Sequence, residues 1–135
     1  MKRLRVLDLS SNDFVIQLSS EIGELINLEF INLSGSNVFQ LPIAFKKLKN
    51  LRVLLLDDML YNYAKIIPLE VIESLEQLKV FRFGYLHFSK SNNTVEEEIS
   101  LLEKLESLSK LEKLCVDLKN FTSVRRLFQS TILLP

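Results

Sequence analysis

The sequence predicts an α/β solenoid of about five repeats, with short parallel strands on a concave face and irregular or helical segments on the convex face. Two observations support this prediction. The pattern L-x-x-L-x-L-x-x-N, first seen at residues 4–12, returns down the chain with hydrophobic residues in the same three slots. The stretch before each return also repeats, as two steps of three residues between hydrophobic side chains.

The first slots fall at residues 4, 28, 51, 78 and 111, so the intervals are 24, 23, 27 and 33 residues. A hydrophobic pattern with a period of about 20–29 residues is typical of a leucine-rich repeat, with one strand in each turn of the solenoid. The two longer intervals indicate insertions, near residues 59–65 and 87–98. The inward slots of the five predicted strands are Leu4, Leu7 and Leu9; Leu28, Ile31 and Leu33; Leu51, Leu54 and Leu56; Leu78, Phe81 and Phe83; and Leu111, Leu114 and Val116.

Further features predict the convex segments. Leu41-Pro42 and Ile67-Pro68 stand at matching places in the second and third repeats, and proline suits an irregular segment because it has no backbone donor. In the fourth repeat, hydrophobic residues at spacings of three and four predict an amphipathic helix, and Thr94 and Glu97 have capping-box spacing at its start. The predicted inward residues of this helix are Val95, Ile99, Leu102, Leu105 and Leu108.

Composition limits the class of protein. The 135 residues are 47% hydrophobic, which fits one domain, and we assign residues 1–135 to a single repeat domain. Lys and Arg balance Asp and Glu at 17 each, so no overall field attracts nucleic acid or an anionic membrane. The sequence has no apolar run of 18 residues, and because charges begin at Lys2 we expect no signal peptide. Neither end carries a polar cap of the kind that usually closes a solenoid, so we expect an uncapped fragment of a longer array.

Two observations bear on location, and they point in opposite directions. The single cysteine, Cys115, excludes an internal disulfide framework and favours a reducing compartment. Three glycosylation sequons, at Asn32, Asn92 and Asn120, favour the secretory pathway. Because no route into that pathway is visible in the sequence, we predict a cytoplasmic location.

The sequence offers little for catalysis. It contains only three glycines and no phosphate-binding loop. His87 is the only histidine and lies far in sequence from Cys115, whose one nearby cation is Lys113. The glutamates at 96–98 are successive helix residues that point different ways, so they are not expected to hold a metal, and a zinc site lacks its ligands. We therefore predict no enzyme, no metal and no cofactor in this chain.

Protein binding is the remaining function. The outward residues of successive strands in such a solenoid line up in rows across the concave face. Two interpretations of the apolar first row are open. An exposed apolar row can mark a contact surface. Alternatively, valine and phenylalanine occur there because they favour β-strands. The predicted binding surface is the first two rows with Asp57 of the third, where the rows are Val6, Phe30, Val53, Val80 and Lys113; Asp8, Asn32, Leu55, Arg82 and Cys115; and Ser10, Ser34, Asp57, Gly84 and Asp117.

Four phrases carry a family resemblance: LRVLDLSSNDF, LINLEFINLSGSNVFQLP, LKNLRVLLLDD and LLEKLESLSKLEKLCVDLKNFTSVRRLFQS. Together they resemble the leucine-rich repeat region of plant intracellular immune receptors, and the resemblance extends over essentially the whole chain. The subclass is the coiled-coil, nucleotide-binding, leucine-rich repeat (NLR) disease-resistance proteins. The chain departs from the pattern at the asparagine slot, which is kept only at Asn12, so we do not expect a continuous asparagine ladder. The residues that replace it are Ser36, Met59, Leu86 and Lys119.

The resemblance implies recognition of a pathogen effector, or of a host protein that the effector modifies. It also implies autoinhibitory contacts with the receptor's own nucleotide-binding domain. ADP or ATP would bind only to that domain, which is absent from this chain. Two alternatives stay open: an ectodomain fragment of a cell-surface leucine-rich repeat receptor-like protein, which the sequons favour, and a stand-alone intracellular repeat scaffold.

Overall fold

One parallel sheet organises the chain in the computed structural model, which describes residues 3–11, 15–16, 18–38, 40–59, 67–85 and 95–116. Its five strands lie side by side in chain order, and they are β1 (Val6–Asp8), β3 (Phe30–Asn32), β5 (Val53–Met59), β6 (Val80–Tyr85) and β7 (Lys113–Val116). Two short strands, β2 (Val15–Ile16) and β4 (Asn37–Val38), form a separate parallel pair. The predicted α/β solenoid is confirmed.

The return segments carry short helices on the other side of the core. They are a first 3₁₀ helix (Ser20–Glu24), a second 3₁₀ helix (Ile43–Lys47), α1 (Leu69–Ser74) and α2 (Val95–Glu106). The Ser19 hydroxyl accepts a hydrogen bond from the Glu21 backbone N–H at 3.1 Å and caps the first of them. Pro42 and Pro68 stand directly before the second 3₁₀ helix and α1. Their missing N–H groups cost no helical hydrogen bond at that position.

The three-residue steps seen in the sequence correspond to a repeated backbone hydrogen bond. In the second repeat, the Leu48 N–H donates to the Phe45 carbonyl at 3.0 Å, and the Leu51 N–H donates to the Leu48 carbonyl at 3.2 Å. The same pair of bonds occurs in the other three stretches, ending at Leu28, Leu78 and Leu111. Each step is one tight turn that brings the next hydrophobic side chain to the core, which is why the spacing is so regular.

The core consists of the predicted slots. The inward residues of the middle three strands are between 0% and 1% exposed, and they are Leu28, Ile31, Leu33, Leu51, Leu54, Leu56, Leu78, Phe81 and Phe83. The slots of β1 and β7 are only half-buried, and they are Leu4, Leu7, Leu9, Leu111, Leu114 and Val116. Within the described sheet β1 and β7 each have one neighbouring strand, so their core side chains are covered less completely.

The strands turn into the return segments through a residue with positive φ. Ser11, Gly35 and Asp58 have φ of 55°, 68° and 56°, and each stands two positions after the third inward slot of its repeat, Leu9, Leu33 or Leu56. The Ser11 N–H donates to the Ser34 carbonyl at 2.8 Å, and the Gly35 N–H donates to the Asp57 carbonyl at 2.7 Å. Glycine adopts this conformation freely, whereas serine and aspartate adopt it at a cost.

Two local features differ from the sequence predictions. Met59, expected at the asparagine slot and at the start of an insertion, is the buried last residue of β5, where the pairing with β6 shifts register. Ile99 was predicted to face inward from α2 but is only half-buried, because the buried face consists of Glu98, Leu101, Leu102 and Leu105. Residues 60–65 and 87–94 of the two predicted insertions, and Asn12, Leu86 and Lys119, lie outside the described residues, whereas residues 95–98 form the start of α2.

Candidate protein interface

The outward residues of the sheet stand in straight rows. Val6 pairs with Phe30, Phe30 with Val53, Val53 with Val80, and Val80 with Lys113. The same register aligns the second row, which contains Asp8, Asn32, Leu55, Arg82 and Cys115. The structure thus brings together all eleven residues of the predicted surface except Asp57 through strand pairing alone. Whether this surface binds protein stays a prediction.

The third row is joined by a side-chain contact. The Asp57 N–H donates to the Ser34 hydroxyl at 2.9 Å, which ties β5 to the turn after β3. Asp57 Oδ2 also lies 3.1 Å from Arg82 Nε, so the carboxylate reaches into the second row. Asp117, the predicted last member of this row, lies outside the described residues.

The apolar first row is less exposed than the sequence suggested. Val6 is 57% exposed, but Phe30, Val53 and Val80 are half-buried by their neighbours in the sheet. These three side chains therefore contribute to sheet packing as well as to the surface. Lys113 ends the row and is exposed.

Two polar residues of the second row also shape the backbone. Asp8 Oδ1 accepts a hydrogen bond from the Ser10 N–H at 2.9 Å, and Asn32 Oδ1 accepts one from the Ser34 N–H at 3.0 Å. The Ser10 hydroxyl and backbone N–H lower the pKa of Asp8 from its ordinary value. Both side chains hold the turn that leaves the strand, so their presence in the row has a structural reason as well.

A groove lies over the second half of the sheet. It has a volume of about 400 Å³ and is lined by Val53, Leu55, Val80, Arg82, Lys113 and Cys115 of the predicted surface, together with Leu114. Cys115 is a free, exposed thiol. The groove requires three neighbouring strands in register, so no single repeat of the sequence indicates it.

A row of charged residues runs beside the first row and was not predicted from the sequence. Each stands directly after the first leucine of its repeat, and the row reads Arg5, Glu29, Arg52, Lys79 and Glu112. Glu29 lies between two guanidinium groups, 3.7 Å from Arg5 Nε and 3.6 Å from Arg52 Nε. Backbone bonds of 2.8 Å from each member to the one before it keep the row aligned. The signal was present in the sequence as one fixed position of the repeat.

Polar contacts also join the return segments of neighbouring repeats. Asn50 Nδ2 donates to the Ile26 carbonyl at 3.0 Å, and Lys110 Nζ donates to Gln77 Oε1 at 2.8 Å. On the helices, Lys104 Nζ lies 2.8 Å from Glu73 Oε2. The hydrogen bond and charge of Lys104 lower the pKa of Glu73.

The described residues contain no group of three His, Cys, Asp or Glu side chains that is placed to hold a metal ion. Glu96 is exposed, Glu97 is half-buried and Glu98 is buried, so the three carboxylates point in different directions. His87 lies outside the described residues. No helix in the described ranges is long and apolar enough to cross a membrane.

Solved structures share this architecture. An internalin from Listeria monocytogenes matches with a TM-score of 0.61 and 20% identity, over 96% of this chain and 34% of that chain. The tropomodulin C-terminal domain from Caenorhabditis elegans matches with a TM-score of 0.65 and 14% identity, over 95% of this chain and 82% of that chain. At such identities the likeness shows the fold alone. The chain therefore has the leucine-rich repeat fold.

The sequence relatives are more specific, although no model of a known protein family matches. Two probable disease resistance proteins of Arabidopsis thaliana are each 35% identical to this chain, over 87% and 96% of its length. The disease resistance protein UNI of the same plant is 30% identical over 86% of the chain. The sequence homologues of the chain are thus plant disease resistance proteins. The chain spans 14%, 13% and 12% of the length of these three relatives.

Proposed function

We propose that the chain is a non-enzymatic protein-recognition module in plant defence, namely the ligand-sensing and autoinhibitory repeat region of an intracellular immune receptor. The observation that carries the proposal is the concave face, where two outward rows run in register from β1 to β7. Apolar side chains there lie next to charged ones, as in the surfaces through which proteins bind each other. The disease resistance relatives supply the biological setting.

The partners in this proposal are proteins: a pathogen effector, a host protein that the effector modifies, or the receptor's own nucleotide-binding domain. The location is cytoplasmic, which agrees with the single cysteine. No cofactor is assigned to these residues, and ADP or ATP would be held by the nucleotide-binding domain. Nucleic acid is not a proposed partner, because basic and acidic residues balance.

The test is a pull-down from leaf extract with the tagged chain and its Phe30→Glu variant, followed by quantitative mass spectrometry. A glutamate in the middle of the first row places an unpaired charge in the interface, so specific partners are expected to be lost. Val6→Glu changes an already exposed residue of the same row and guards against misfolding of the first variant. Ile43→Glu is the matched control, because Ile43 is 48% exposed on the second 3₁₀ helix, away from the sheet.

Partners that remain bound to both Phe30→Glu and Val6→Glu would exclude the first row as the interface. Loss of partners with Ile43→Glu alone would place the interface on the convex side. Melting curves for all variants separate loss of binding from loss of fold.

A second candidate is the ectodomain of a cell-surface receptor-like protein, which the three sequons favour. The leucine-rich repeat ectodomain of the receptor kinase SOBIR1 from Arabidopsis thaliana has the same fold, with a TM-score of 0.50 and 22% identity over 90% of this chain and 61% of that chain. Glycan occupancy at Asn92, read by mass spectrometry on protein from source tissue, decides between the two. An occupied site supports the ectodomain, and an unoccupied one supports the intracellular receptor.

A further inference from the structure

We infer that the groove over β5, β6 and β7 binds an extended acidic segment of a partner protein, with an aliphatic side chain of that segment beside an acidic one. This inference rests on the proposed function, because it names the chemistry of a partner for the same concave face. Its evidence is the lining of the groove, its charge and the spacing of the strands.

The floor of the groove is apolar. Val53 and Leu55 come from β5 and Val80 from β6, and all three side chains are half-buried. Leu114, a core residue of β7 that is incompletely covered, adds apolar surface at the far side. Partly exposed aliphatic groups in a concavity favour an aliphatic side chain as the ligand, because contact removes both surfaces from water.

The charge at the rim has one sign. Arg82 and Lys113 line the groove, and none of the described residues that line it is acidic. Arg82 already forms an ion pair with Asp57, because Asp57 Oδ2 lies 3.1 Å from Arg82 Nε. Lys113 is exposed and forms no ion pair with another residue in the described ranges. A carboxylate of the partner would therefore find a cation there that no described residue of the chain neutralises.

The spacing of the strands sets the spacing of the partner's side chains. Val80 and Lys113 are directly paired on β6 and β7, so they are about 4.8 Å apart across the sheet. In an extended segment, side chains on one face recur about every 6.6–7 Å. The distance of about 4.8 Å between Val80 and Lys113 is shorter than this two-residue step. An aliphatic side chain over Val80 and a carboxylate that reaches Lys113 therefore belong to residues that are next to each other or two apart in the segment.

Cys115 makes a direct test possible, because it is the only cysteine of the chain and lines the groove. Three peptides are needed, each with one cysteine two residues from a leucine, and with glutamate, glutamine or lysine on both sides of that leucine. Each peptide is supplied as its mixed disulfide with cysteamine. The Cys115 thiolate attacks the peptide sulfur, a protein–peptide disulfide forms, and cysteamine leaves as its thiolate.

Intact-mass spectrometry then measures the conjugated fraction at equilibrium in a β-mercaptoethanol buffer at low salt. We expect the glutamate peptide to exceed the lysine peptide by about two- to fivefold, the range for exposed ion pairs, and the difference to shrink as salt is added. Lys113→Glu is expected to reverse the order. Lys47→Glu makes the same charge change on the second 3₁₀ helix and is expected to preserve it.

Equal conjugation of all three peptides would overturn the inference. So would a preference for glutamate that survives Lys113→Glu, because it would not come from the groove. Either result leaves the proposed function standing if Phe30→Glu and Val6→Glu still lose their partners. Conversely, partners retained by both of those variants would contradict the proposed role of the first row even where the glutamate peptide is preferred.

Discussion

The same core slot can be truncated in different repeats, and the structure predicts that the cost depends on the position in the stack. Leu54 lies in β5 between Ile31 and Phe81 and is 0% exposed. Leu54→Ala removes a fully buried side chain and leaves a cavity, so it is expected to lower the free energy of unfolding by about 2–5 kcal/mol. That is a large share of a total free energy of unfolding of about 5–15 kcal/mol, or roughly 0.05–0.15 kcal/mol per residue.

Leu7 and Leu114 occupy the same slot in β1 and β7, where they are half-buried. Because part of each side chain already meets water, Leu7→Ala and Leu114→Ala are expected to cost about 1–2 kcal/mol, roughly two thirds of the transfer free energy of a leucine. Little cavity remains at a site that is open to solvent. The comparison uses identical chemistry in three places, so only the number of covering repeats differs.

The assay is urea unfolding followed by far-ultraviolet circular dichroism for the parent and the three variants. The slope of the free energy against urea must stay constant for the differences to be read as stability. Equal costs for Leu54→Ala and Leu114→Ala would refute the reasoning, since coverage by neighbours would then not determine the energy. A Leu54→Ala variant as stable as the parent would show that this slot is not in the core.

Two further predictions concern the strand turns and the surface pairs. Asp58→Gly is expected to stabilise the chain by about 0.5–1 kcal/mol, because relief of the positive φ outweighs the added freedom of the unfolded chain; Gly35→Ala is expected to destabilise it by about 1–2 kcal/mol. Both are read from urea unfolding. Lys104 lowers the pKa of Glu73, so the charged carboxylate stabilises the folded chain. Glu73→Gln is therefore expected to be less stable than the parent at neutral pH, above the carboxyl's ordinary pKa of 4.5. The difference is expected to vanish as the pH falls through the lowered pKa of the folded state. Thermal melting of parent and variant across pH measures this.

Each of these predictions has its control. Asp58→Ala keeps the strained φ while removing the charge, so a gain equal to that of Asp58→Gly would show that charge and not backbone strain is responsible. A Cβ at Gly35 would meet Ser11 Cα at 3.6 Å, an ordinary contact, so crowding does not confuse that test. Glu70 lies 3.6 Å from Lys46, a longer pair, and a pH dependence for Glu70→Gln as large as for Glu73→Gln would contradict the role of the 2.8 Å hydrogen bond.

The sequence predicted those features that depend on the position of a residue within its repeat. The register from Val6 to Lys113 follows from the alignment of the slots, because the first slot of each strand stands two residues before its row member. The turn residues were not predictable in this way. Gly35 signals a positive φ, but Ser11 and Asp58 hold the same conformation without the residue type that marks it.

The site was less predictable than the fold because it depends on several repeats together. The half-burial of Phe30 and Val53 comes from the strands on either side of them. The groove beside Lys113 exists only where β5, β6 and β7 meet. The burial of Glu98 depends on how α2 rotates against the core, which a pattern of threes and fours leaves open by one residue.

The paired strand positions are separated by 24, 23, 27 and 33 residues along the chain, yet they sit at one constant step in the sheet. Length and surface pattern are therefore uncoupled. A gene encoding such a protein can gain or lose codons between strands without displacing any residue of the two rows, since the rows keep their register across the two longer intervals. Point substitutions at row positions such as Val6 and Lys113, in contrast, change what the face presents, whereas Asp8 and Asn32 also hold the turns that leave their strands. The two kinds of mutation thus act on separate properties of the same molecule.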